Sequence, residues 1–205
     1  MASPRDYGAA RAAILEAAAR VIIRDGASDL STRAVAAEAG VNQSLIHYHF
    51  GTKERLMLAV HAEMDAQLLK RQSNLYERDI PVAEKWAQAV EFYRDDLASG
   101  YVRLHMELWT IGYSNPAIRA VMLESNAKWR AVVTEGARQA IEDFALTGIS
   151  AAELATLVID FWLGMEIEHL LGVPEAEGRQ WQALATIQGL LERLARTRER
   201  RDAGA

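Results

Sequence analysis

Apolar residues recur every three or four positions along most of the chain, which is the spacing of one face of an α-helix. In the first such segment the apolar stripe consists of Ile14, Ala18, Val21 and Ile22. The same period continues through the later segments, and none of them shows the strict alternation of a half-buried strand. The pattern therefore predicts an all-α protein.

Glycine, proline and capping residues divide this pattern into about nine helices. Gly26, Gly40 and Gly51 end the first three, because glycine accepts the left-handed conformation that closes many helices. Ser31 and Asn42 are predicted to be the N-caps of the second and third helices. The predicted helices cover residues 7–25, 32–39, 43–50, 53–74, 82–99, 101–111, 117–144, 150–171 and 176–198, with a linker at 76–80.

The segment from Ser31 to Lys53 is predicted to form two short helices joined by a glycine turn, as in a helix-turn-helix. On the second helix Ile46 and Phe50, four residues apart, are predicted to pack inward. The outward positions are then Gln43, Ser44, Leu45, His47, Tyr48 and His49. Polar and aromatic side chains of this kind read base edges and contact phosphates in a major groove.

This segment resembles the TetR family of transcriptional regulators over about residues 10 to 60. The residues that carry the resemblance are Ser31-Thr32-Arg33, Val35-Ala36, Ala39-Gly40-Val41 and Ile46-His47-Tyr48-His49-Phe50, followed by Lys53 and Leu56. The chain departs from the family at His47, where tyrosine is common, and at Asn42, where serine is common. Beyond residue 60 the resemblance is only architectural, and it points to the subgroup that includes the choline-responsive repressor BetI.

The resemblance also implies how the chain is organised. A three-helix DNA-binding domain would occupy residues 1–55, with the helix-turn-helix at 31–50. A larger helical domain at 56–205 would bind a small-molecule effector and form a dimer.

The resemblance assigns DNA contacts to individual side chains. Gln43 would pair with adenine in the major groove, while Lys53 would hold a phosphate together with the N–H groups that begin its helix. The implied DNA-binding residues are Thr32, Arg33, Gln43, Ser44, Leu45, His47, Tyr48, His49 and Lys53. For any one of these side chains the alternative is packing in a small core, and this alternative is strongest for His49.

The charge distribution restricts how DNA can be bound. The 205 residues carry a net charge of -5, and residues 1–56 hold seven Lys or Arg against six Asp or Glu. Such a chain is not a general polycation, so any DNA contact must be a small, shaped surface. The absence of cysteine excludes disulfides, thiolate zinc sites and cysteine nucleophiles. No apolar stretch is long enough for a membrane span, so the protein is expected in the cytoplasm without a membrane partner.

Aromatic residues concentrate after residue 80, where all five tryptophans lie. The resemblance implies a ligand cavity in this region, formed by Trp86, Tyr93, His105, Trp109, Tyr113, Trp129, Phe161, Trp162 and Met165. The alternative is that these side chains form an ordinary core. Five ionisable residues in this region are also of interest, namely His105, Glu107, Asp160, Glu166 and His169. Three of them lie on or next to predicted apolar faces, where a buried acid needs a partner. A cationic or polar effector would supply that partner, and the alternative is a hydrogen bond between helices.

The last two predicted helices carry unusually broad apolar surfaces. In one of them the apolar residues run from Leu154 to Met165, and in the other from Trp181 to Leu194. Two such helices from each subunit would form a four-helix interface and a symmetric homodimer. The alternative is that both surfaces serve only the core of one subunit.

Together these features favour a ligand-responsive transcriptional regulator, most often a repressor in this family. It would bind an inverted-repeat operator in double-stranded DNA as a homodimer and be released by a small-molecule effector. No catalytic residue, metal site or cofactor is expected.

Two other function classes remain open on the sequence alone. A helical-bundle enzyme is one, because Glu166 and His169 have the Glu-x-x-His spacing of di-iron bundles; no second such pair exists, and His61 with Asp65 is equally isolated. A helical interaction protein without a DNA role is the other. The ordered outward row at residues 43–49 argues against it.

Overall fold

The computed structural model describes residues 4–202, and every regular element within that range is an α-helix. The helices are α1 Pro4–Asp25, α2 Thr32–Ala39, α3 Gln43–Phe50, α4 Lys53–Glu77, α5 Val82–Ala98, α6 Tyr101–Gly112, α7 Pro116–Phe144, α8 Ala151–Leu170, α9 Glu175–Gly178 and α10 Gln180–Asp202. The predicted all-α class is confirmed. No helix within the described range is long and apolar enough to cross a membrane.

Two predicted boundaries are wrong. α4 continues to Glu77, so the predicted linker at 76–80 begins inside a helix. The predicted final helix is instead two, because Arg179 adopts a left-handed conformation with φ 50° after the single turn of α9. α10 then begins at Gln180. Gly178 directly precedes this break, but the left-handed residue is Arg179, so the sequence pattern did not reveal it.

Side-chain caps fix the starts of the two short helices as predicted. The Ser31 hydroxyl accepts a hydrogen bond from the Ala34 amide at 3.1 Å, and the Asn42 side chain accepts one from the Ser44 amide at 2.9 Å. Each cap satisfies a backbone donor that has no partner within its own helix. Gly40 ends α2 at φ 65°, a conformation that a side chain would strain.

The described helices pack into two compact units, and the division falls within α4, α5 and α7. Unit 1 comprises the chain up to Leu68 together with Asp95–Glu124. Its core joins apolar side chains of α1, α2, α3, α4, α6 and the start of α7, including Val21, Val35, Ile46, Leu56, Leu104, Leu108 and Ile118. The implied division of DNA binding and effector binding between 1–55 and 56–205 stays a prediction about function.

Unit 2 comprises Leu69–Arg94 and the chain from Ser125 onward. Its buried side chains include Ala83, Tyr93, Ala137, Ala155, Met165 and Leu184. α4 and α7 approach closely at Gly136, where an added Cβ would lie 2.6 Å from two ring carbons of Tyr76. Glycine at this position therefore allows the Tyr76 ring to lie against the backbone of α7.

Candidate DNA-binding surface

The packing of α2 and α3 determines which side chains reach solvent. Val35 and Ala36 of α2, and Ile46 and Phe50 of α3, are buried in the core of unit 1. The i, i+4 spacing of Ile46 and Phe50 fixes one face of α3 inward, as predicted. The opposite face of α3 is left to solvent.

An ion-pair cluster joins α1 to α2. Glu38 accepts hydrogen bonds from Arg20 at 2.8 Å and from Arg24 at 2.9 Å, and Arg24 also pairs with Asp25 at 2.8 Å. These hydrogen bonds lower the pKa of Glu38 below its usual value. Because the pairs are largely solvent-exposed, they orient α2 more than they stabilise the fold.

The predicted outward row on α3 divides into exposed and half-buried members. Gln43, Ser44, His47 and Tyr48 are exposed, and Tyr48 retains 72% of its accessible surface. Leu45 is half-buried and packs against the core of unit 1. His49 is also half-buried, and its ring lies 6.1 Å from that of Phe50.

Gln43 and Thr32 are joined directly. The Gln43 side-chain nitrogen donates a hydrogen bond to the Thr32 hydroxyl at 2.8 Å, although eleven residues separate them. Gln43 is the first residue of α3, and Thr32 is the first residue of α2. The contact therefore ties together the entrances of the two helices. Nothing in the sequence pattern indicates this pairing.

His47 is oriented by the turn that follows α3. Its Nδ1 lies 3.1 Å from the carbonyl oxygen of Gly51. A carbonyl oxygen only accepts, so Nδ1 carries the proton in this hydrogen bond. This hydrogen bond fixes the orientation of the ring and leaves Nε2 on the edge that faces away from Gly51.

Three basic side chains lie beside this exposed face, at Arg33, Lys53 and Arg55. Arg33 and Arg55 are exposed. Lys53 is half-buried, and its ammonium donates a hydrogen bond to the carbonyl oxygen of Ser28 at 2.8 Å. An ammonium has three protons, so Lys53 retains donors for a phosphate while it holds the loop between α1 and α2.

The residues expected to bind an effector fall into two separate groups. Trp162 is the centre of the group in unit 2, with ring centroids 4.8 Å from Tyr93, 5.7 Å from Trp86 and 5.9 Å from Phe161. Trp181, which was predicted only as part of a dimer surface, also lies 5.8 Å from Tyr93. Met165 is buried in the same unit, and Trp129 is half-buried.

Tyr93 combines deep burial with an unmatched polar atom. The residue is only 5% exposed, and its hydroxyl has no hydrogen-bond partner. Burial, followed by the charge of Glu166, raises the pKa of Tyr93 above its usual value. A buried hydroxyl without a partner costs free energy, so this position favours a ligand that supplies one.

The second group lies in unit 1 and extends beyond the predicted residues. His105 Nδ1 lies 2.9 Å from His61 Nε2 and 3.4 Å from the Tyr101 hydroxyl, which donates a hydrogen bond to Asp65 at 2.7 Å. Trp109 lies 5.9 Å from His105. The sequence left His61 and Asp65 isolated, because their partners on α6 are about forty residues away. Tyr113 belongs to neither group and is 73% exposed.

A cleft in unit 2 contains none of the expected effector residues. It is lined by Ser73, Tyr76, Glu77, Val132, Glu135 and Gln139. Nearby, the buried Lys85 ammonium donates hydrogen bonds to the Tyr76 carbonyl at 3.1 Å and to Gln139 at 2.6 Å. These hydrogen bonds fix α4, α5 and α7 to one another. Among the side chains that the structure describes, at residues 8–198 and 200, no three His, Asp or Glu residues are placed to hold a metal ion.

Comparison with known proteins locates the resemblance on this same surface. Residues 14–60 match the family model of bacterial regulatory proteins of the tetR family. The nicotine-responsive transcriptional repressor HdnoR of Paenarthrobacter nicotinovorans is 40% identical over 60 residues, which cover 29% of this chain and 31% of the relative. The regulator BetI of Brucella canis is 28% identical over 96 residues, which cover 43% of this chain and 48% of the relative.

A solved structure extends the likeness to most of the chain. A transcriptional regulator from Saccharomonospora viridis in complex with choline superposes with a TM-score of 0.75 at 25% identity. The superposition covers 87% of this chain and 95% of that regulator. The chain is thus similar to TetR-family regulators, in sequence over residues 14–60 and in fold over most of its length.

The match to the TetR family covers α2, α3 and the start of α4, which carry the exposed face described above. The named relatives are transcriptional regulators. The sequence matches span less than half the length of either curated relative. They therefore support the helix-turn-helix more strongly than the rest of the chain.

Proposed function

We propose that this chain is a ligand-responsive repressor of the TetR family that binds an inverted-repeat operator as a homodimer in the cytoplasm. The exposed face of α3 carries this proposal. Gln43, Ser44, His47 and Tyr48 project from a helix whose other face is fixed in the core of unit 1. Such a rigid helix with short and medium polar side chains fits a major groove.

Apolar side chains left exposed on α8 and α10 support the homodimer. Leu157 is 62% exposed and Ile167 45% on α8, and Leu190 is 48% exposed and Leu194 44% on α10. Exposed large apolar residues repeated along two helices favour association with a second copy. A two-fold dimer would present two α3 helices to half-sites about 34 Å apart.

The first prediction tests DNA binding by α3. The operator is selected from genomic fragments, and its affinity is measured at several salt concentrations. Tyr48→Ala with Lys53→Ala should weaken binding to all sequences by similar factors, because both side chains are proposed to contact phosphate. Gln43→Ala should cost about 1–3 kcal/mol at one base pair of each half-site and relax preference there.

Arg138→Ala provides the matched control, because Arg138 is an exposed side chain of α7 in unit 2. Removing one half-site should weaken binding of the wild-type chain strongly if a dimer binds. Wild-type affinity in the Tyr48 and Lys53 double variant would refute the assignment of α3. Equal affinity for one half-site and two would refute the operator arrangement.

The effector is proposed to be a cationic amine bound beside Tyr93 in unit 2. Aromatic faces attract cations, and Trp162 lies against Tyr93 with Glu166 one turn further along α8. The unmatched Tyr93 hydroxyl supplies a hydrogen-bonding group within this apolar cluster. The choline-bound neighbour and the nicotine-responsive relative add support for this ligand class. α4 contributes to both units and is the proposed route of coupling to α3.

The second prediction concerns Tyr93→Phe. Removing an unmatched buried hydroxyl should leave the free energy of unfolding unchanged or raise it by about 1–3 kcal/mol. The same change should weaken the binding of choline or nicotine, because the protein loses the hydroxyl that would hydrogen-bond to the ligand. Tryptophan fluorescence measures this binding. 3,3-Dimethylbutanol, the neutral isostere of choline, should bind poorly to both forms. A cation response that Tyr93→Phe leaves unaltered would contradict this location, whatever the outcome with DNA.

A further inference from the structure

The hydrogen bond between Gln43 and Thr32 connects the side chain best suited to read a base with a side chain on the neighbouring helix. The Gln43 amide nitrogen donates to the Thr32 hydroxyl at 2.8 Å. Ser31 and Asn42, the residues directly before them, are both locked as N-caps. The two ends of the contact are therefore attached to fixed points of the backbone.

We propose that Thr32 is a positioning residue that sets the base preference of Gln43. This inference rests on the proposed function, because it assumes that α3 enters the major groove. The Gln43 amide has two N–H donors and one oxygen, and Thr32 occupies one donor. The second donor and the oxygen remain for adenine, which presents an N7 acceptor and an N6 donor in the major groove.

The two side chains differ in rotational freedom, and because of this difference Thr32 can orient the Gln43 amide. Gln43 is exposed and rotates about three side-chain bonds, whereas Thr32 is β-branched and half-buried. Holding the amide before DNA arrives lowers the ordering cost of binding. An exposed hydrogen bond between neutral groups contributes only a modest free energy. Its loss should therefore reduce discrimination between base pairs by about 2- to 10-fold.

A phosphate contact by Thr32, which the family resemblance implies, predicts a different result. The Thr32 hydroxyl accepts from Gln43 and keeps its own proton. That proton can be donated to a phosphate, which every operator sequence presents equally. Loss of a phosphate contact therefore lowers affinity for all sequences alike, whereas loss of positioning alters preference at one base pair.

Thr32→Val and Thr32→Ser separate these roles. Valine keeps the shape of threonine without the hydroxyl, and serine restores the hydroxyl. Each purified chain is titrated against four operators that differ only at the base pair where Gln43→Ala relaxes preference. Thr32→Val should reduce discrimination by about 2- to 10-fold, and Thr32→Ser should restore most of it. Thermal unfolding of each variant identifies any loss of fold.

The outcomes distinguish this inference from the proposed function. A uniform loss of affinity in Thr32→Val, with discrimination intact, would assign Thr32 to phosphate alone and overturn the positioning role. Unchanged binding in Thr32→Val would also overturn it. If Gln43→Ala relaxes no position, the proposed reading of bases by Gln43 fails. If Gln43→Ala relaxes a position and Thr32→Val does not, only the inference about Thr32 fails.

Discussion

Lowering the pH from about 7 to about 5 is expected to reduce the free energy of unfolding by about 2 kcal/mol through His105. His105 lies against His61 and Tyr101 in unit 1, and His61 is only 1% exposed. Burial, followed by the charge of His61, lowers the pKa of His105 from 6.5 to about 4, although Asp65 opposes the shift. Burial lowers the pKa of His61 as well.

The direction of the pH effect follows from where the protons bind. Between about pH 4 and pH 6.5 an unfolded histidine is largely protonated, whereas folded His105 is neutral. The unfolded state thus binds more protons, so stability is complete above about pH 6.5 and falls as the pH drops towards 4. Carboxylates with lowered pKa values, such as Glu38, begin to lose their contribution to stability near the ordinary carboxylate pKa of 4.5, which lies below the interval from pH 7 to pH 5.

Urea denaturation at several pH values, followed by circular dichroism, measures this effect. His105→Gln keeps a hydrogen-bonding side chain beside His61 and should flatten the fall in stability between about pH 7 and pH 5. His169→Gln is the control, because His169 is an exposed histidine of α8. A His105→Gln chain whose stability falls as steeply with acid as the wild type would contradict the buried, neutral state of His105.

Ile46→Ala is expected to destabilise the fold strongly. Ile46 is 1% exposed and belongs to the core of unit 1. Truncating a fully buried isoleucine costs about 2–5 kcal/mol, because apolar burial is lost and a cavity remains. Ile46→Val removes one methylene and should cost about 0.5–1.5 kcal/mol. Both changes in the free energy of unfolding are measured from the shift in the midpoint of urea denaturation.

The two Ile46 variants also link stability to DNA binding. Because Ile46 and Phe50 set the rotation of α3, Ile46→Ala should weaken operator binding even where the chain remains folded. Leu123→Ala is the control for the loss of apolar volume, since Leu123 is 60% exposed on α7. A change of less than about 1 kcal/mol in Ile46→Ala would contradict the placement of Ile46 in the core.

Local rules account for the parts of the fold that could be predicted from the sequence. The capping of α2 and α3 and the inward face at Ile46 and Phe50 depend on residues only a few positions apart. Spacing therefore predicted them correctly. The break at Arg179 was missed because an arginine in a left-handed conformation carries no turn signature.

The details of both candidate sites depended on contacts between distant segments. Gln43 meets Thr32 only because α2 crosses α3, and His61 meets His105 only because α4 packs against α6. A one-dimensional pattern does not contain such pairings. The predicted effector residues were accordingly divided between the two units. Trp181, which periodicity had assigned to a dimer surface, lies instead beside Tyr93.

The hydrogen bond from His47 to Gly51 determines which chemical partners the outer edge of that imidazole can accept. With Nδ1–H committed to the carbonyl oxygen, Nε2 of the neutral ring presents a lone pair and no proton. It can therefore accept from an exocyclic amino group of cytosine or adenine, but it cannot donate to a phosphate oxygen. A phosphate contact would require a second proton on the ring. In the proposed DNA complex, the turn after α3 would therefore let the neutral ring accept from base amino groups, and only the cationic ring could donate to the DNA backbone.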